Sequence, residues 1–146
     1  MISQSIQTQI QNALKNRDEV RLTTLRMLSS ALNYAKIDKM GDLNEDDELA
    51  VIRREVKKRN EAAEIYTKAN ELEKAKKEKD EAKILEEFLP AQMPDSDLES
   101  IVENVIKELG ITDKSQMGKI IGAVVARTKG LADGKKIAGM VAQKLQ

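Results

Sequence analysis

Three aromatic side chains in 146 residues, Tyr34, Tyr66 and Phe88, set the terms on which this chain folds. With so few large rings, a core must be filled by Leu, Ile, Val, Met and Ala, while charged residues already occupy 34% of the positions. Aliphatic side chains interleaved with Lys, Arg, Glu and Asp are the palette of packed amphipathic helices. No strand-like alternation, fixed-period repeat or low-complexity tract interrupts the pattern. The sequence predicts an all-α protein.

Its organisation follows from the two prolines. Pro90 and Pro94 stand together in Phe88-Leu89-Pro90-Ala91-Gln92-Met93-Pro94, the stretch most hostile to a continuing helix. The boundary falls there, giving an N-terminal helical domain over residues 1–90 and a tail domain over residues 95–146. Upstream, Ile6, Ile10 and Leu14, then Leu25, Leu28, Leu32 and Ala35, recur at helical spacing on either side of a break near Asn16-Arg17-Asp18. Asn44, followed by Glu45, Asp46, Asp47 and Glu48, reads as a helix cap with acids over the first turn. Leu49, Ile52, Val56, Ala63 and Tyr66 continue that helix, and Asn70 with Glu73 repeats the capping pattern before Leu72, Ala75, Ala82, Leu85 and Leu89. No heptad is sustained, so an elongated hairpin or bundle is expected rather than a parallel coiled coil.

The tail predicts three shorter helices. The first carries Leu98, Ile101, Val102, Val105, Ile106 and Leu109 and stops at Gly110. Asp113 with Gln116 reads as a capping box for the second, whose apolar run from Met117 to Ala126 ends before Lys129-Gly130. Asp133 caps the third, which buries Ile137, Met140, Val141 and Leu145.

Composition closes much of the enzyme repertoire. Histidine and cysteine both count zero, which removes imidazole acid/base chemistry, thiolate nucleophiles, disulfides and nitrogen/sulfur zinc sites. No GxxxxGK[ST] loop is present, and Gly130-Leu131-Ala132-Asp133-Gly134 lacks the preceding strand and third glycine of a dinucleotide fingerprint. Ser29, Ser30 and Ser115 sit in no nucleophile motif and read as helix surface or caps. Asp46, Asp47 and Glu48, like Glu86 and Glu87, read as capping and solvated charge, because adjacent helix positions point different ways. The residues thus designate no catalytic group, no metal site and no cofactor. The start, Met1-Ile2-Ser3-Gln4-Ser5-Ile6, is not a basic-then-apolar leader, and the longest apolar run, Ile120 to Ala126, is seven residues broken by Gly122. A bilayer takes about 20. A cytoplasmic protein without membrane contact is expected.

Charge is balanced overall, with 25 cations and 25 anions, so any anionic partner must meet a local patch. Arg53-Arg54-Glu55-Val56-Lys57-Lys58-Arg59 spreads five cations around a helix, where Glu61 and Glu64 can pair with Lys57, Lys58 or Arg59; it reads as a solvated, salt-bridged face. The tail is different. Residues 95–113 hold six acids against one lysine, a net of −5, whereas residues 114–146 hold seven cations against Asp133 alone, a net of +6. These cations flank Gly118, Gly122, Gly130 and Gly134, where bare backbone and helix N-terminal amides can approach a phosphate. Gly122 and Gly139, inside helices, read as close-packing residues.

Four segments carry a resemblance: Arg26-Met27-Leu28-Ser29-Ser30-Ala31-Leu32, Phe88-Leu89-Pro90, Met117-Gly118-Lys119-Ile120-Ile121-Gly122 and Lys129-Gly130-Leu131-Ala132-Asp133-Gly134-Lys135. Their order and spacing resemble the YqeY family over nearly the whole chain. That family is similar to the helical and tail domains of the B subunit of the glutamine-dependent Asp-tRNA/Glu-tRNA amidotransferase, whose tail contacts tRNA and whose catalytic cradle has no counterpart here. Related segments are also appended to some glutaminyl-tRNA synthetases. The resemblance implies a non-catalytic tRNA-binding module, or an accessory to a tRNA-modifying or aminoacylating enzyme. The candidate RNA-binding residues are Lys119, Arg127, Lys129, Lys135 and Lys136, with Gly118, Gly130 and Gly134. All three aromatics lie upstream of the tail, so recognition there would be of backbone and shape. Two other readings stand beside it: a carbon–nitrogen ligase activity with glutamine as donor, in association with an amidotransferase, and a helical protein-interaction adaptor.

Overall fold

The computed structural model describes residues 1–145, and every regular element among them is helical. Seven α-helices follow in order: α1 Ile2–Lys15, α2 Glu19–Lys39, α3 Glu45–Lys68, α4 Leu72–Glu86, α5 Asp95–Leu109, α6 Met117–Thr128 and α7 Gly134–Lys144, with a short 3-10 turn, Lys114–Gln116, before α6. The all-α class expected from composition is what the chain adopts. Its contacts divide it into two compact units, Met1–Leu89 and Pro90–Gln146.

In the first unit α3 pairs along α4, α1 lies on α2, and α2 touches both α3 and α4. Its core is Ile6, Leu28, Leu32, Leu43, Val51, Ile52, Val56 and Leu85. Further along the α3–α4 pair the buried apolar residues shrink to Ala63, Ala75 and Ala82. Asn44 starts α3 as predicted: its Oδ1 accepts from the Asp47 amide at 2.8 Å while the Asp47 carboxylate accepts from the Asn44 amide at 2.9 Å.

Two charged positions depart from the sequence reading. Glu48 is not solvated; it is fully buried, accepting hydrogen bonds from the Ile2 amide at 2.7 Å, the Ser3 amide at 3.1 Å and the Ser3 hydroxyl. Met1 offers α1 no side-chain cap, so a carboxylate from the first turn of α3 supplies it, where free amides and the helix dipole favour negative charge. Arg59 is likewise buried rather than part of a solvated face. Its Nε reaches Glu81 on α4 at 3.1 Å and its Nη1 reaches Glu55 at 2.9 Å. Of the pairings expected for this stretch, Lys57–Glu61 forms at 3.9 Å, while Lys58 turns to Glu55 at 2.9 Å.

Smaller corrections concern phase and caps. Leu14 is exposed and Ala13 is buried in its place, and Leu72 and Leu109 also face solvent. Asn70 does not cap α4: it takes a left-handed conformation with φ 58°, and Glu71 precedes the helix without a side-chain bond. Asp113 caps the 3-10 turn rather than α6, accepting from the Ser115 amide at 3.0 Å and its hydroxyl at 2.8 Å.

The second unit closes on an aliphatic core of Leu98, Val102, Val105, Ile111, Ile120, Val124, Ile137, Val141 and Leu145. Gly110 ends α5 in the left-handed region at φ 61°, the role its position predicts. The Met93 amide donates to the Leu131 carbonyl at 2.8 Å, fastening the segment before α5 to the turn between α6 and α7. Among the described residues, no helix is long and apolar enough to cross a membrane.

Candidate nucleic-acid interface

The turn between α6 and α7 gathers most of the tail's candidate residues. Lys129 leaves α6 at φ 48° and Gly130 follows at φ 79°, two successive left-handed residues that reverse the chain. Glycine meets that demand freely, whereas lysine does so at a cost. The Leu131 amide donates to the Thr128 carbonyl at 2.9 Å, and Asp133 caps α7 by accepting from the Lys135 amide at 3.2 Å. Lys129, Gly130, Gly134, Lys135 and Lys136 are therefore held within one turn and the first residues of the next helix. All five are exposed.

Lys119 and Gly118 are not part of this cluster. They lie in the first turn of α6, about 15 Å along the axis from Lys129 at 1.5 Å per residue, and both are exposed. A Cβ built on Gly118 or Gly134 would meet nothing within 4 Å, so packing does not require glycine at either. Gly122 and Gly139 are equally open, which corrects their reading as close-packing residues.

The five candidate cations differ in what they already touch. Arg127 is bound to Glu108 of α5, with Nη1 at 3.3 Å from Oε1 and a second, shorter bond through Nη2. Lys136 is paired with Asp95. Lys144, outside the candidate set, bridges Glu99 at 2.7 Å and Glu103 at 2.6 Å. Among the described residues, Lys119, Lys129 and Lys135 have no carboxylate within 4.0 Å. The acidic run of α5 thus neutralises part of the positive charge that follows it. The signal was present in the abrupt change from −5 to +6, which reads as well as an internal pairing as an external patch.

These contacts shift the titration of the groups involved. The Arg127 guanidinium holds the Glu108 carboxyl below its ordinary range and is itself raised, and Lys144 lowers Glu103 and is raised in turn. The Ser115 amide and hydroxyl lower Asp113. At α7 the first turn holds no acid; it holds Lys135 and Lys136 against a dipole that favours anions. Asp133 and Asp95 are the carboxylates placed to offset it. Among the described residues no group of three or more Asp or Glu is arranged to hold a metal ion.

With the geometry in place, comparison with known proteins is decisive at the level of family. The family described as Yqey-like protein matches residues 3–145. The chain belongs to the YqeY family. A second similarity is to an uncharacterized protein of Schizosaccharomyces pombe, 31% identical over 85 residues, which cover 58% of this chain and 69% of that protein. The YqeY match takes in both compact units and every candidate cation of the tail.

Proposed function

We propose that this YqeY-family protein is a non-catalytic tRNA-binding module of the cytosol, an accessory to a tRNA-modifying or aminoacylating enzyme, and that it meets RNA phosphates at the α6–α7 turn. The observation that carries the reading is Lys129 and Lys135, two exposed ammonium groups without a carboxylate partner among the described residues, on either side of the turn through Gly130 that leads into α7. Uncompensated lysines beside bare glycine backbone form the combination that suits a phosphate. Its resemblance to the tail of the amidotransferase B subunit supports the same partner. No aromatic ring stands in the tail to stack a base, so contacts are to backbone and shape.

The test is a gel-shift titration with bulk tRNA at several salt concentrations. Replacing Lys129 and Lys135 with Glu should weaken binding at least about tenfold and flatten the salt dependence by about 0.7–0.9 log units per lost phosphate contact. The same change at Lys57 and Lys58 should do less, since those lysines have Glu61 and Glu55 beside them. Tail-mutant binding equal to the parent at every salt concentration, with helicity unchanged, would sink the proposal. The ligase reading has its own check: turnover of Glu-tRNA to Gln-tRNA by the isolated chain with glutamine and ATP, abolished by a point substitution, would replace the non-catalytic one.

A further inference from the structure

The first unit carries on α2 a row of apolar side chains that stays largely exposed. Tyr34 is 70% exposed, Ile37 69% and Met27 49%, and together with Ala31 they recur at three- and four-residue spacing along one side of the helix. Apolar residues scattered singly need no explanation, but a continuous row edged by charge is the make-up of an interface. Beside the row, α2 and α3 enclose a groove whose wall includes Met27, Ala31, Tyr34, Asp38, Arg54 and Lys58.

The charges of this groove have an order. Arg59 Nη2 lies 3.7 Å from Met27 Sδ near one end of the helix pair, and Lys39 is bonded to Asp47 near the other, so α2 and α3 run antiparallel. In that register Arg54 stands across from Leu32, and Asp38 lies about 9 Å further along α2 at 1.5 Å per residue. Lys58 is occupied by Glu55, which Arg59 also holds. Among the described residues, neither Arg54 nor Asp38 has an oppositely charged group within 4.0 Å. The groove therefore shows one unmatched cation and one unmatched anion, with the exposed ring of Tyr34 between them.

We propose that the occupant of this groove is a second copy of the same chain, docked about a twofold axis that passes close to Tyr34 and Ala35. That axis is the midpoint between the Arg54 register and Asp38. Rotation about it sets Asp38 of each copy against Arg54 of the other and brings Tyr34 and Ile37 of one copy over Ile37 and Tyr34 of its twin, the self-complementarity that an isologous contact requires. A phosphate backbone is disfavoured in the groove by the unmatched Asp38 carboxylate, and an unrelated helix would have to carry a matching charge pair that a second copy already has. Contact through a few turns of one helix pair belongs at or below about 1,200 Å² of total buried surface, so the dimer is reversible and concentration-dependent.

Sedimentation velocity on the full chain, from about 1 to about 200 μM, tests it. The parent should shift from monomer towards dimer across that range. Asp38→Arg and Arg54→Asp, both at exposed positions, should each keep their helicity and each weaken self-association at least tenfold. An equimolar mixture of the two variants should recover dimers, because the mixed pair has opposite charges at both contacts. Tyr34→Glu, which alters no ion pair, should abolish association and gives a second route should a charge variant misfold. A parent that stays monomeric throughout, charge variants that associate as the parent does, or a mixture that fails to recover dimers overturns the proposal. So does poly(U) or an acidic helical peptide binding the groove of a parent that remains monomeric.

Discussion

The two units of this protein, with 35 charged residues over 1–89 and 15 over 90–146, place those charges in different ways. In the first, Glu48, Arg59 and Glu81 are 0%, 5% and 6% exposed, and each is satisfied by a partner on another helix. In the second, every ion pair among the described residues lies at the surface, with side chains between 32% and 67% exposed. The cores explain the contrast. The tail fills its interior with continuous Leu, Ile and Val, and its one buried polar residue among the described residues, Thr128, is satisfied locally by the Val125 carbonyl. The α3–α4 pair thins to alanines, and there an arginine and a glutamate bridge a space that aliphatic side chains fill elsewhere. The first unit thus takes part of its charge inside the fold, whereas the described ion pairs of the second stay at its surface.

The largest effect should come from breaking the buried pair. Arg59→Leu leaves Glu81 buried beside an apolar neighbour, and removal of one partner of such a pair costs about 3–5 kcal/mol. Joint replacement, Arg59→Met with Glu81→Leu, removes both charges and should restore most of the loss, since well-packed apolar substitutes are often neutral or better. Urea unfolding of parent, single and double variants checks this. A single variant as stable as the parent would mean that Arg59 is solvated after all and the contrast between units is false.

Next in size is the carboxylate that caps α1. Glu48→Gln keeps the volume but loses charge at the helix N-terminus and offers a single acceptor oxygen where two now serve the Ile2 and Ser3 amides. Leaving such groups poorly satisfied costs about 1–3 kcal/mol. Amide exchange should rise over α1 first, with the tail unaffected. Uniform change in both units would show that Glu48 acts through something other than the α1 terminus.

The turn at Lys129 sets stability against binding. A lysine held at φ 48° is strained by about 1 kcal/mol relative to glycine, so Lys129→Gly should raise the unfolding midpoint of the tail while lowering tRNA affinity. Opposite movement in the two measurements is the expected signature. Loss of both would make Lys129 a structural residue and remove it from the interface.

Local signals were legible in the sequence and distant ones were not. Asn44, Gly110 and Asp133 act on residues two to four positions away, so residue type and spacing sufficed to assign them. Glu48 and Arg59 find their partners 46 and 22 positions away, and no short-range pattern distinguishes them from the solvated charges around them. Leu14 shows how little separates the two outcomes: one helical step puts Ala13 inside and leucine outside. For the tail, residue types marked the cations, but which of them α5 would neutralise depended on how its helices pack. Arg127 and Lys136 acquired partners; Lys119, Lys129 and Lys135 did not, among the described residues.

The smallest effect should come from the tail's surface pairs, and its sign follows from their titration. Glu103 and Glu108 are held below the ordinary glutamate value by Lys144 and Arg127, so their contribution is present above about pH 4.3 and is lost as pH falls through the lowered values. Lys144 is raised by Glu103 and Glu99, so its contribution is complete below about pH 10.4 and disappears as pH rises beyond. With no histidine in the chain, the tail's stability should be flat between these limits. Salt should separate the units further: at 1 M the screening length is about 3 Å, which weakens exposed pairs while leaving Arg59–Glu81 shielded by burial. Methyl NMR on Val102 and Ile120 of the tail, and on Leu28 and Ile52 of the first unit, reads each unit separately as pH and salt are varied. Equal salt sensitivity in both would dissolve the contrast. A tail that alone softens in salt and acid, and only slightly, would establish that its charges are surface charges, available to a competing polyanion because they hold the fold so loosely.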